Sequence, residues 1–238
     1  FRSTETRIIE LSQNKINRLS IGIQSFFEDD LKLMNRAHNS EEAKKCLEIA
    51  TKYFDNISID LIYGVPNMSN EKWLQNIETA LSFNVPHISS YALTVEPKTA
   101  LHSFIQKGII PPPEDEVAQE HFHLLVDKLE ENGFIHYELS NFGKTTYFSK
   151  NNSSYWLGKK YIGIGPSAHS YDGQNRGWNV SNNAPSSKHD DNGSLAVLDV
   201  SKIYSANPSL SLPTLLVANI STNLFSNSKT VVPGAFTL

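Results

Sequence analysis

The chain has 238 residues, 39% of them hydrophobic and 19% charged, with a formal net charge of −4. That composition is too apolar for a wholly disordered chain, and the acidic balance argues against nucleic acid or an anionic membrane as partner. One cysteine excludes an internal disulfide framework and any cluster site built from this chain's thiolates alone.

Taken in order, Arg18-Leu19-Ser20-Ile21-Gly22-Ile23-Gln24 alternates and is β-branched, which predicts a strand. A short helix follows from Asp29 to Ala37. Ser40 then caps a longer one, whose Ala43, Cys46, Leu47 and Ala50 form one apolar stripe. Cys46 on that stripe reads as a small buried hydrophobe. Asn56 to Tyr63 is the second strand, closed by Gly64 and Pro66. Ser69 caps a helix carrying Trp73, Ile77, Ala80 and Leu81, and a third strand runs from Ile88 to Val95. Strands alternating with helices predict a parallel sheet with right-handed crossovers.

Beyond Pro111-Pro112-Pro113, a long helix from Glu114 to Asn132 buries Phe122, Leu125, Val126 and Leu129 and ends at Gly133. His121 and His123 point to different faces, so they read as surface histidines without a shared metal. Strands near Ile135–Leu139 and Lys160–Gly165 complete this part. After Ser181 the sequence turns rich in Ser, Asn and Thr; the last glutamate is Glu138 and the last arginine Arg176. We expect three regions, 1–110, 111–182 and 183–238, the last irregular except where Leu215 to Ile220 could form an isolated strand. No run of about 18 apolar residues is present and no signal segment is visible, so the chain reads as cytoplasmic.

In open α/β sheets, ligands bind beyond the carboxyl ends of the strands. The polar residues there are Gln24 and Ser25 after the first strand, Asp60 and Tyr63 on the second, and Tyr91 and Thr94 on the third. Asp60, inside Ile-Asp-Leu-Ile, is costly to bury unpaired. Arg36 could pair with it, and a cofactor carrying a cation and hydroxyls would use the same residues. Spacing leaves both readings open. Gly163-Ile164-Gly165-Pro166-Ser167-Ala168 mimics a dinucleotide loop, but Pro166 spoils the helix start that such a loop needs. Ser167 and His169 lack an orienting acid for nucleophilic chemistry.

Five blocks in order carry a resemblance. They are Asn17-Arg18-Leu19-Ser20-Ile21-Gly22-Ile23-Gln24-Ser25-Phe26, Ile59-Asp60-Leu61-Ile62-Tyr63-Gly64-Val65-Pro66, His87-Ile88-Ser89-Ser90-Tyr91-Ala92-Leu93, Tyr137-Glu138-Leu139-Ser140-Asn141-Phe142 and Tyr161 to Ser170. On these blocks, residues 15–180 resemble radical S-adenosylmethionine (SAM) proteins related to oxygen-independent coproporphyrinogen III oxidase, nearest the HemW-type heme chaperones. The resemblance implies a (β/α)6-type barrel, of which this chain holds about strands 4–6, followed by a small α+β segment and an irregular tail. It implies SAM contacts at Gln24, Arg36, Asp60 and Ala92, a [4Fe–4S] cluster in the family, and heme or another tetrapyrrole as partner. A respiratory heme protein would be the acceptor.

The family's Cys-x3-Cys-x2-Cys and Gly-Gly-Thr-Pro segments have no counterpart here, so the expectation is a fragment without radical chemistry of its own. Asn151 stands where relatives often read the histidine of His-Asn-x-x-Tyr-Trp. That leaves His169 or His38 as the heme residue. Coproporphyrinogen III dehydrogenation and a non-catalytic remnant are the alternative readings.

Overall fold

A computed structural model describes residues 5–14 and 16–179, and residues 215–218 as backbone. The expected boundary at 182/183 and most of the expected tail lie outside the described residues. The chain folds as two compact units, residues 1–148 and 149–238.

The first unit opens with helix α1 (Glu5–Gln13) and strand β1 (Leu19–Gln24), then α2 (Glu28–Leu33), α3 (Ser40–Tyr53), β2 (Ile57–Tyr63), α4 (Asn70–Ser82) and β3 (His87–Ala92). Helices α5 (Ala100–Gln106) and α6 (Asp115–Glu131) follow, then a hairpin of β4 (Ile135–Glu138) and β5 (Asn141–Gly143). The sheet order is β1-β2-β3-β5-β4, with β1, β2 and β3 parallel and β5 antiparallel to β3. This is the expected α/β fold with a parallel sheet.

Local chemistry sets the helix limits. α3 begins one residue earlier than Ser40 predicts: Asn39 is the cap. Its Oδ1 accepts from the Glu42 backbone N–H at 2.8 Å, and Glu42 Oε2 accepts from the Asn39 N–H at 3.1 Å. This reciprocal pair satisfies two otherwise orphaned donors. α2 stops at Leu33 rather than running to Ala37, because Asn35 turns left-handed at φ 53° and Arg36 N–H bonds back to Leu31 O at 2.9 Å. Gly133 ends α6 as predicted, at φ +77°.

The strands sort their side chains onto two faces because the side-chain period is two. Ile21, Ile59, Ile88 and Phe142 lie in one line across four strands. This face packs on Ala43, Leu47 and Ala50 of α3, Trp73, Ile77 and Ala80 of α4, and Leu125 and Leu129 of α6. The opposite face carries two polar lines, Ser20–Ser58–His87–Gly143 and Gly22–Asp60–Ser89–Asn141–Glu138. A parallel sheet buried among helices usually reads apolar on both faces, so this polar face marks where chemistry is placed.

The sequence reading of His121 as a surface group is corrected: it is fully buried, whereas His123 is exposed. His121 lies four residues before Leu125 and eight before Leu129, so α6 turns all three inward.

The second unit holds α7 (Lys150–Trp156) and a sheet of β6 (Tyr161–Ile164), β7 (His169–Tyr171), β8 (Arg176–Trp178) and β9 (Leu215–Ala218), in the order β8-β7-β6-β9. β9 is not isolated; it pairs parallel to β6.

Candidate functional site

The parallel strands end together at Gln24, Tyr63 and Ala92, and the polar line through Asp60 lies just inside that edge. The β1–β2 register shifts between Gly22 and Gln24, and Gln24 adopts φ 70°. A left-handed, non-glycine residue at a strand end stores about 1–3 kcal/mol of strain and persists only where surrounding contacts enforce it. Those contacts are visible in the next two residues. Phe26 N–H donates to Asn76 Oδ1 at 2.7 Å, and the Ser25 hydroxyl donates to Asp30 Oδ2 at 2.7 Å. Lys72 Nζ closes the network on Asp30 Oδ1 at 2.6 Å.

The strain re-aims Gln24. Its side chain folds back over Gly22, and a Cβ at Gly22 would lie 2.6 Å from Gln24 Nε2 and 3.9 Å from Asp60 Oδ2. The amide and the carboxyl therefore converge on one point above a residue with no side chain. Burial pushes the Asp60 carboxyl up to about 6, against the opposing influence of Ser89 and of the Arg18 and Arg36 charges. Arg36 acts on Asp60 through space; among the described residues Asp60 has no ion pair within 4.0 Å, so the paired reading of Asp60 and Arg36 is not realised as a contact. Ala92 ends β3, opposite Tyr63. Gln24, Arg36 and Asp60 are thus brought to one edge, with Ala92 at the neighbouring strand end.

Further residues surround this site, and of these Ser89, Asn141 and His87 carried no local signal of a role in it. Ser89 Oγ–H donates to Asn141 Oδ1 at 2.6 Å, and Asn141 Nδ2 donates to Glu138 Oε1. His87 is buried between the Ser58 hydroxyl at 2.7 Å and the Tyr137 hydroxyl at 2.7 Å, and burial with the Arg18 charge pushes it down to about 3. Tyr91, beside Asp60 and Glu138, is raised to about 12, chiefly by burial. His121 accepts from Gly64 N–H through Nδ1 at 3.1 Å and stacks on Trp73, which ties α6 to the end of β2.

The two histidines considered for heme lie in different units. His38 Nε2 is hydrogen-bonded to Ile23 O at 3.0 Å, which braces the end of β1, and His169 is exposed at the start of β7. Asn151 is buried on α7, with neither side-chain polar atom hydrogen-bonded.

A parallel sheet whose polar residues gather at its carboxyl edge is the general arrangement of ligand-binding α/β folds, and the comparisons narrow it to one class. Residues 1–91 match the radical SAM superfamily. The coproporphyrinogen III oxidase HemN from Escherichia coli, described as a radical SAM enzyme, superposes with a TM-score of 0.61 at 20% identity, over 76% of this chain and 44% of that one. The heme chaperone HemW of Bacillus subtilis is 39% identical over 171 residues, 71% of this chain and 45% of the relative. The mitochondrial radical S-adenosyl methionine domain-containing protein 1 of Mus musculus is 38% identical over 155 residues, 65% of this chain and 35% of the relative. The chain thus spans less than half the length of these curated relatives. Together these findings support a radical SAM protein of the HemW type.

That likeness implies SAM and a [4Fe–4S] cluster. The residues present fit the first: a carboxyl and an amide converge over a glycine, with the Arg36 charge acting on that carboxyl through space, which suits a ligand bearing hydroxyls, ring nitrogens and charge. They do not fit the second. Cys46 is the only cysteine, half-buried on α3 with its thiol pushed up by burial. Among the described residues no group of three or more His, Cys, Asp or Glu side chains is placed to hold a metal ion. No helix among them is long and apolar enough to cross a membrane.

Proposed function

We propose that this chain supplies the adenosyl-binding half of a heme-handling radical SAM protein. The observation that carries the reading is the convergence of Gln24 and Asp60 over Gly22 at the carboxyl edge of the sheet. Asp60 would accept hydrogen bonds from ligand hydroxyls, and its charged form, favoured above about pH 6, is the better acceptor. Gln24 offers both an amide N–H and a carbonyl to the ligand's polar edge. Arg36 adds positive charge, and Ala92 lets the ligand lie close to the end of β3. When bound to a complete enzyme of this superfamily, SAM supplies a 5′-deoxyadenosyl radical. This chain's own residues contribute binding and orientation.

The heme-related part of the proposal rests on the likeness to heme chaperones, with His169 and His38 as the residues to test for heme and a respiratory heme protein as the acceptor. For the SAM site, calorimetric titration of SAM into the full chain and into Asp60→Ala is the experiment. Loss of the buried acceptor should weaken binding about ten-fold, the equivalent of one good hydrogen bond. Equal affinities would remove Asp60 from the site.

A further inference from the structure

Towards its amino-terminal side, the polar face of the sheet holds a cation with spare donors. Arg18 lies just ahead of β1, and alternation along the strand puts it on the face of Ser20 and Gly22. Its guanidinium is half-buried and within electrostatic reach of Tyr137, His87 and Asp60. Only Nη1 is engaged: it donates to Asn56 Oδ1 at 2.5 Å and to Tyr147 O at 3.2 Å. Both acceptors are neutral, and among the described residues Arg18 has no ion pair within 4.0 Å. A guanidinium carries five N–H donors in a planar fork. The Nε and Nη2 edge of this one is hydrogen-bonded to nothing among the described residues, yet neither atom is fully enclosed. Taking a charge partly out of water without a counter-charge is costly, and burial does lower Arg18 from its ordinary value.

We propose that the Nε–Nη2 edge of Arg18 is a carboxylate-binding subsite on the polar face of the sheet, for a second ligand distinct from SAM. Two parallel N–H groups match two coplanar oxygens, a pairing that is both strong and directional. The surroundings leave room for an anion. Ser20, on the same face of β1, is exposed, so the face is open on that side. His87, held between the Ser58 and Tyr137 hydroxyls, is kept neutral by burial and by Arg18 itself, so it does not compete as a cation. Tyr137 stacks on Phe148 at 4.3 Å and offers an apolar wall to the rest of the ligand. Asp60, charged above about pH 6, already acts on Arg18. The remaining field therefore suits a monoanionic carboxylate better than a phosphate dianion. Along β1 the Arg18 backbone precedes Gln24 by six residues, about 20 Å of strand, which separates this subsite from the carboxyl edge.

The test follows the Arg18 Nε–H signal and the Ser20 backbone amide by nitrogen-15 NMR of the full chain, with propionate as the probe at constant ionic strength. Propionate should shift both signals saturably in the millimolar range, and propionamide, its neutral counterpart, should shift neither. Inorganic phosphate should bind at least about three-fold more weakly. Arg18→Lys keeps the charge but not the fork, and should weaken propionate about ten-fold at the Ser20 amide. The exposed Arg176 is the reference for unspecific attraction. No propionate response at Arg18, an equal response at Arg176, phosphate binding as tightly as propionate, or unchanged affinity in Arg18→Lys would each overturn the proposal. Should Arg18→Lys fail to fold, the measurements on the unmodified chain decide. Saturating SAM must leave the propionate shift in place; if SAM abolishes or reproduces it, the anion is SAM's own carboxylate and the second ligand falls. If SAM does not bind at all, the SAM-site reading fails and the propionate result stands by itself.

Discussion

Gly22 and Asp60 are in-register neighbours on β1 and β2, and a methyl group added at Gly22 would meet Gln24 Nε2 at 2.6 Å and Asp60 Oδ2 at 3.9 Å. The first contact is too close and the second is ordinary, so the methyl displaces Gln24 and leaves Asp60 in place. Gly22→Ala should therefore weaken SAM binding about ten-fold, through loss of one well-placed polar partner. It should not lower the melting temperature, because alanine costs less backbone entropy than glycine in a strand, by roughly 0.5–1 kcal/mol. Calorimetry and thermal unfolding measure the two effects separately. Unchanged affinity would show that Gln24 does not touch the ligand.

Asp60 and His87 make opposite contributions to the pH dependence of stability. Asp60 titrates at about 6 in the fold against an ordinary 3.8, so between those values the folded chain holds more protons than the unfolded one. Its contribution therefore favours acid and is lost as pH rises from about 4 to 6. His87 titrates at about 3 against an ordinary 6.5, so there the unfolded chain holds more protons. Its contribution is present above 6.5 and is lost as pH falls towards 3. The two slopes offset one another between pH 4 and 6. Asp60→Asn should uncover a stability that climbs with pH across this window, and His87→Gln one that declines, each by on the order of 2 kcal/mol. Urea unfolding at several pH values gives the slopes. Parallel slopes in the two variants would contradict both assignments.

How much of this could be read from the sequence depended on whether the signal was local. The alternation in Ile57 to Tyr63 and in Leu19 to Gln24 identified the strands, and a carboxylate in Ile-Asp-Leu-Ile singled out Asp60 from desolvation cost alone. Ser89, Asn141 and Glu138 were not legible as lying on one line with Asp60, because they are aligned by register across the sheet and β5 is only three residues long. The left-handed Gln24 is likewise invisible: it is enforced by Asn76 and Asp30, the former fifty residues away along the chain from its Phe26 partner. His121 was legible and overlooked. Its spacing of four and eight from Leu125 and Leu129 puts it on the buried stripe.

Lys72 and Asp30 form the least exposed ion pair among the described residues, with side chains 15% and 3% accessible. Asp30 also accepts from Ser25, the residue after Gln24. Replacing Lys72 with methionine keeps the stem and leaves a buried carboxylate without its cation, a change that typically costs about 3–5 kcal/mol. Adding Asp30→Asn to Lys72→Met should recover part of that loss, because the stranded charge is gone. Both are read from urea unfolding. A loss below about 1 kcal/mol for Lys72→Met alone would mean that the pair behaves as a solvent-screened surface bridge.

Gly163 packs directly against the backbone of the neighbouring strand. A Cβ there would lie 2.1 Å from His169 O and 2.8 Å from His169 C and N, and backbone atoms cannot swing aside as a side-chain tip can. Gly163→Ala must therefore push β6 and β7 apart and break the bond from Gly163 N–H to the Ser170 hydroxyl at 2.9 Å. The Asn179 side chain, which donates to Gly163 O and Gly165 O at 3.2 and 2.8 Å, loses its seat with them. Amide hydrogen exchange across Tyr161–Ile164 and His169–Tyr171 should accelerate at least about ten-fold, the effect of losing 1.4 kcal/mol of local stability. Unchanged exchange would show that the strands have room for a side chain that this packing denies.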